Sequence, residues 1–358
     1  MTPIKLVKSC KHCNENFTTS STRKIFCSRS CKESFTTLIR RENAKKLRLK
    51  RLKAKETLLN GSAFARYLVT EAKRAGTLEI FHGITSNDLL ELLKITRNRT
   101  KYNGIFKGKV ERRYEVSHII AVKDQSRLGL LHPLNMVIAP ASFNRKRGSY
   151  SSALDVGLSL SRNQLKSKYR VDRHEDFSTV FRRIKRYLGK ATIESFLSEA
   201  KVYLSQRNQL LKKLSKFPNL PDVSKLSTED LHLLLQAEGV SSSASFSRAG
   251  FSALKVAYLE LDRFNKTDSV IYWVLEALVI RSENRFSERL CSCIPTVSEV
   301  HLIEFVLIQA WSLLHGDPYE LFFNGQHLIE CFEVDSFSTP KIKLDQVIFD
   351  RSTFKLLA

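Results

Sequence analysis

The spacing of apolar and polar residues divides the chain into a mainly helical sequence with one conspicuous stretch of strand character. From Lys32 to Leu59 the run KESFTTLIRRENAKKLRLKRLKAKETLL lacks Gly and Pro and is dense in Lys, Arg and Leu, which predicts a long basic helix. Asn60-Gly61 ends it. Two shorter helices are predicted near Ala63 to Ala75 and near Asn87 to Lys94, the second with Ser86 as its N-cap. The Asn103-Gly104 and Lys107-Gly108 turns, flanked by aromatic and β-branched residues, predict loops or a hairpin. Beyond residue 150 the helical period returns: FSTVFRRIKRYLG at 177–189 is amphipathic and basic, and 191–217 reads as one long helix. FPNLPD at 217–222 is a Pro-bearing break. Ser227-Thr-Glu-Asp then opens a well-capped helix, at least three more helical patterns follow up to Ile329, and the tail FEVDSFSTPKIKLDQVIFD alternates as one or two strands. The fold class that follows is α+β, mainly α-helical.

The strand character is concentrated in residues 114–148, YEVSHIIAVKDQSRLGLLHPLNMVIAPASFNRKRG. Tyr114 to Ala121 is predicted as a short strand whose alternation sends Glu115 and Ser117 to one face and His118 to the other. A loop spans 122–133, Met136 to Ala139 forms a second apolar run, and Pro140 suits the first turn of a helix carrying Asn144, Arg145 and Arg147. The unit is strand, loop, strand, helix.

Charge changes the picture along the length of the chain. Residues 1–217 hold 47 Lys and Arg against 17 Asp and Glu, whereas residues 218–358 hold 12 against 19. A polyanion-facing surface is therefore expected in the first 217 residues, because Lys and Arg that neutralise phosphates release counterions and supply affinity without regard to sequence. The basic helix at 32–59 either lies along a nucleic-acid backbone or is a solvated connector, since a charge run alone specifies no ligand. No apolar h-region follows Met1, and the longest apolar runs are short, so neither a signal peptide nor a membrane partner is expected.

Seven cysteines make an odd total and a poor disulfide framework, which suits a reducing cytoplasm. Four of them form Cys10-x2-Cys13-x13-Cys27-x3-Cys31, two thiol pairs that can converge tetrahedrally on one Zn2+. Phe17, Ile25 and Phe26 would supply the small core of such a knuckle. His12 lies inside the first pair and reads as a bystander. Cys291, Cys293 and Cys331 are spaced unlike a zinc site and read as core or surface thiols.

Ser117-His118, Asn135 within LHPLNMVIA and Asn144 within SFNRKRG together resemble the HNH, or ββα-metal, endonucleases, over about 35 residues. The resemblance implies that His118 is the general base, that Asn135 braces the loop carrying it, and that Asn144 offers its side-chain oxygen to a divalent cation such as Mg2+. The family often has Asp where this chain has Ser117, a poorer ligand for a hard cation. Glu115, on the same predicted face as Ser117, is expected to supply the missing charge directly or through a water. Arg145, Lys146 and Arg147, with Arg112 and Arg113, are the expected phosphate-gripping residues.

The predicted organisation is a zinc-binding knuckle at 1–35, a basic helical arm at 36–100, an HNH core with a helical extension at 101–217, and an acidic helical region at 218–358 that would dock a protein partner. The expected function is metal-dependent cleavage of DNA by an endonuclease, in a layout similar to bacteriophage or mobile-element nucleases acting in a host cytoplasm. A nucleic-acid-binding regulator that keeps the fold without turnover is the alternative, and Ser117 favours it.

Overall fold

The computed structural model describes residues 5–106, 109–151, 156–217, 220, 222–240, 248–284, 297–316, 332–333 and 341–342. The chain begins with an antiparallel hairpin of β1 (Leu6–Ser9) and β2 (Asn16–Thr19). The Ser28 hydroxyl then accepts from the Cys31 N–H and caps α1 (Arg29–Asn60). At 32 residues α1 is about 48 Å long. Leu59, near its end, is its only buried side chain, so the basic helix is exposed as its composition demands. Lys55 and Glu56 moor its last turns, Lys55 to the carbonyls of Leu197 and Ser198 and Glu56 to Lys185.

Helices α2 (Ala63–Ala75) and α3 (Ser86–Asn103) follow. Two details differ from the sequence pattern. Thr85 rather than Ser86 is the N-cap of α3, in a reciprocal capping box with Asp88, and α3 continues past Lys94 to Asn103. The hairpin β3 (Ile105–Phe106) and β4 (Lys109–Val110) leads into β5 (Tyr114–His118), β6 (Arg127–Gly129), β7 (Met136–Pro140) and α4 (Ala141–Arg147). β5 is shorter than predicted, and the loop after it contains β6, which pairs antiparallel with β8 (Ser159–Ser161). Pro140 ends β7 and stands before the first turn of α4 instead of inside it. Then come α5 (Phe177–Leu188), α6 (Lys190–Glu199), α7 (Gln206–Leu214), α8 (Thr228–Ala237), α9 (Ala253–Arg263), α10 (Val270–Asn284), α11 (Val297–His315), β9 (Phe332–Glu333) and β10 (Lys341–Ile342).

The single helix expected over 191–217 is instead two, α6 and α7, separated by an extended stretch from Ala200 to Ser205. Tertiary bonding overrides helical propensity there: the Ser205 N–H donates to the Gly61 carbonyl, and the Ser205 hydroxyl caps α7. Cys291, Cys293 and Cys331 lie outside the described residues. So does most of the tail, apart from the antiparallel pair β9–β10. No helix among the described residues is long and apolar enough to cross a membrane.

β5 and β7 pair antiparallel, with His118 opposite Met136 and Glu115 opposite Ala139. Met136, Val137, Ile138 and Ala139 are all fully buried, which requires cover on both faces and satisfaction of the strand's second edge. That edge meets α9. Glu260, with no solvent exposure, accepts from the Ile138 N–H at 3.0 Å. Arg263 pairs with Glu260 at 2.6 Å and donates to the carbonyls of Met136 and Pro133. Two side chains of one helix thus do for β7 what a neighbouring strand would. The main core runs without interruption from Leu59 and α2 through β7 to Leu314. The compositional change after Phe217 falls in a smaller cluster of Leu210, Leu214, Leu231 and Leu235 between α7 and α8.

Removing Glu260 leaves Arg263 uncompensated and the Ile138 N–H unpaired in the interior. Glu260→Ala is expected to cost about 3–5 kcal/mol in urea unfolding and Glu260→Gln distinctly less. Truncation after Phe217 strips β7 of this cover and is expected to abolish cooperative unfolding.

Candidate functional site

Cys10 follows β1, Cys13 lies in the turn where Asn14 adopts φ 61°, Cys27 precedes the N-cap of α1, and Cys31 stands in its first turn. The hairpin and the helix start therefore bring two thiols each to one place. All four sulfurs lie within 4.8 Å of one another, with Cys13–Cys27 at 3.6 Å and Cys27–Cys31 at 3.4 Å. Four sulfurs around zinc at about 2.3 Å stand roughly 3.8 Å apart, so this cluster could hold a metal ion such as zinc. Burial raises the Cys10 thiol, but hydrogen bonds from the backbone of Cys13, Cys27 and His12 outweigh it and bring the group down to about 6. Cys13 moves to about 12: the Glu15 backbone lowers it, and burial with the three other thiols more than reverses this. Four thiols so crowded cannot ionise together without a cation among them. His12 is not part of the group.

The second site is built on β5, β7 and α4, with a contribution from α2. Asn135 is fully buried at the start of β7 and spends its amide on the backbone after His118. Its Oδ1 accepts from the Ile120 N–H at 2.9 Å, and its Nδ2 donates to the carbonyls of Leu130 at 2.8 Å and Ile120 at 3.3 Å. Arg147 clamps the same segment from α4, donating to the His118 carbonyl at 3.0 Å and the Ile119 carbonyl at 2.9 Å. It is thus turned inward and does not reach out for phosphates. His132 orders the intervening loop through Asp88 at 3.4 Å.

His118 and Asn144 line one cavity of about 140 Å³, together with Arg74, Lys123 and Ser149. At about 30 Å³ per water, the space suits a few waters or a hydrated ion. The His118 Nδ1 stands 2.8 Å from Arg74 Nη2. A guanidinium only donates, so Nδ1 is the acceptor and the proton of the neutral ring is on Nε2. Glu71, on the same helix as Arg74, lies 2.6 Å from that guanidinium, and its Oε2 is 4.0 Å from His118 Nε2. Burial, reinforced by the Arg74 charge, holds the imidazole well below its usual range. Burial raises the Glu71 carboxyl, with Arg74 opposing.

Glu115 joins the two sides of the expected cation site differently from the prediction. Its Oε2 accepts from Asn144 Nδ2 at 2.9 Å and its Oε1 from Arg145 at 3.0 Å. Burial raises this carboxyl, but those two bonds and the charges of Arg145 and Arg99 outweigh it, so it is held low and ionised. With Nδ2 so engaged, Oδ1 is the atom of Asn144 left for a cation. Ser117 is not brought to the cavity. Its buried hydroxyl donates to His315 Nε2 at 3.1 Å, and His315 Nδ1 donates to the Trp311 carbonyl at 2.7 Å. The alternation that turns His118 toward the cavity turns Ser117 toward α11. Of the expected phosphate-gripping residues, Arg145 is paired with Glu115 and Arg113 with Glu111 at 2.9 Å, whereas Lys146 and Arg112 are exposed.

Arg74, Glu71, Lys123 and His315 had no signal in the sequence. Arg74 is 44 positions from His118 and His315 is 198 from Ser117, with no local motif to join them. No protein-family model matches the chain, and neither a curated protein nor a solved structure does.

Metal analysis is expected to find about one zinc per chain, lost in Cys27→Ser together with the knuckle's protection from proteolysis. His315 gives a prediction about pH. Burial first, then the Arg147 charge, lowers it to about 3 against a hydrogen bond to Trp311 that favours protonation. The unfolded chain takes up this proton first as pH falls, so the contribution is complete above about 6.5 and is lost between there and about 3. The slope is up to ~1.4 kcal/mol per pH unit. His118 acts with the same sign. Melting curves at pH 7.5 and 5 are expected to differ less in His315→Gln than in the parent protein.

Proposed function

We propose that the chain is a metal-dependent endonuclease that hydrolyses phosphodiester bonds in DNA at the cavity between β5, α4 and α2. The observation that carries the reading is the convergence of the His118 imidazole and the Asn144 carboxamide on one small cavity whose rim also holds Arg74 and Lys123. In this reading Asn144 Oδ1 holds a divalent cation such as Mg2+, and the ionised Glu115 behind it supplies charge through the Asn144 amide. That ion, when bound, would neutralise the scissile phosphate and the developing charge on the leaving oxygen.

The chain's own residues account for the rest. Arg74 turns from His118 Nδ1 to a phosphate oxygen, and the freed lone pair takes a proton from the attacking water. Glu71 remains beside Nε2–H and steadies the ring. Asn135 and Arg147 hold the backbone of residues 118–120 so that the ring cannot swing away. The thiol cluster holds a structural zinc, and the exposed basic helix α1 lies along the duplex. The resemblance of residues 114–148 to HNH endonucleases supports the same assignment, including a bacteriophage or mobile-element setting.

A second reading, a nucleic-acid-binding regulator without turnover, is favoured by two observations. Ser117 is engaged by His315, and the base's lone pair is held by Arg74. Supercoiled plasmid with Mg2+ or Mn2+ separates the readings. His118→Ala and Asn144→Ala are expected to lower nicking by about 10²-fold or more while DNA binding persists. Because burial and Arg74 keep the imidazole neutral, the acid limb of the rate profile is expected well below pH 6.5. Full activity in His118→Ala would sink the first reading; intact plasmid at high protein and metal, with DNA bound, would establish the second.

A further inference from the structure

A larger groove of about 450 Å³ opens between the first turns of α2 and α7 and the second half of α3. Arg97, Arg99, Lys101 and Arg248 line it, with Tyr203 and no carboxylate. None of these four cations forms a contact ion pair with a carboxylate among the described residues, and Arg99 alone acts by charge on one, Glu115. Arg97, Lys101 and Arg248 repel one another in the folded protein, and a polyanion relieves that repulsion. The backbone adds to the field. The Ser205 N–H and the Asn208 amide both donate to the Gly61 carbonyl, at 3.0 and 2.7 Å, which ties the starts of α2 and α7 together. Their positive dipole ends therefore fall at one place. Arg99 Nε and the Tyr67 hydroxyl, both on residues lining the groove, are buried with no hydrogen-bond partner. Tyr203 is 64% exposed, and the Arg97 guanidinium sits 5.5 Å from its ring centroid.

We infer that this groove carries the sugar-phosphate backbone of a nucleic-acid strand on its way to the His118 cavity, with Tyr203 stacking on an unpaired base. Tyr67, Glu71 and Arg74 recur along one stripe of α2, and Arg74 opens on the cavity. From Tyr67 to Arg74 is about 10 Å of helix. Cations grip the backbone and an aromatic face takes any base, which is how a strand is held without regard to sequence. The inference rests on the nucleic-acid reading of the site and not on hydrolysis.

The test uses the full chain without divalent cation, titrated into short fluorescein-labelled DNA, single- and double-stranded, over a range of salt. The triple variant Arg97→Ala/Lys101→Ala/Arg248→Ala is set against Lys212→Ala/Lys213→Ala/Lys216→Ala, an equal loss of charge from exposed positions on and just after α7. The groove variant is expected to lose affinity on the order of a hundredfold and about 2 to 3 of the salt slope, the control under about threefold. Tyr203→Ala, exposed and safe for folding, is expected to lose about tenfold for single strands and little for duplex. Equal affinity and slope in the two triple variants would overturn the inference. A mononucleotide or pyrophosphate that competes as well as DNA would also overturn it, in favour of a small-anion site. Wild-type plasmid left uncut while the groove variant still loses affinity would remove hydrolysis and leave the groove. Normal nicking with binding indifferent to the groove would do the reverse.

Discussion

Much of this molecule depends on how the second edge of one short strand is satisfied. β7 is buried along its whole apolar length, and among the described residues only β5 pairs with it. Left open, its remaining N–H and C=O groups would sit in the core without partners, each at a cost comparable to a lost hydrogen bond or more. Glu260 and Arg263 meet them from α9, and their mutual charge is neutralised in the same contact. Asn135 and Met136 stand at one end of this strand, and α4 with Asn144 leaves from the other. The geometry of the cavity is therefore set partly by a helix that contributes nothing to its lining.

The cavity itself is an electrostatic compromise among few groups. Burial keeps the His118 imidazole neutral and raises the Glu71 carboxyl; Arg74 lies between the two, reinforcing the first effect and opposing the second. Glu115 stays ionised because Asn144 and Arg145 hydrogen-bond to it, and the same bond orients the Asn144 amide. Neither carboxylate stands where the expected ligand at position 117 would have been. The hydroxyl there is instead used to fasten α11, through an imidazole that burial keeps unprotonated.

Local chemistry made the helices readable, and non-local chemistry concealed much of the site. The basic run of α1, the amphipathic period of α5 and the Ser227 box of α8 are written within a few residues, so spacing alone suffices. The break between α6 and α7 is not, because its cause is a carbonyl at Gly61 more than 140 positions earlier. The same holds at the cavity. His118, Asn135 and Asn144 sit within 27 positions and could be read as a unit. Arg74 and His315 come from helices on either side of that unit in the chain. Alternation along β5 already implied that Ser117 and His118 face apart, and family likeness at position 117 pulled against that simpler argument.

The exposed length of α1 carries a mechanical consequence. A rod of about 48 Å is longer than the roughly 34 Å pitch of B-form duplex. It is moored to the body only near its last turns. On a duplex, the thiol cluster at the far tip and the cavity at the base would address different helical turns. Under the proposed reading, oxidation or demetallation at the tip would loosen that foothold while the cavity at the base keeps its shape.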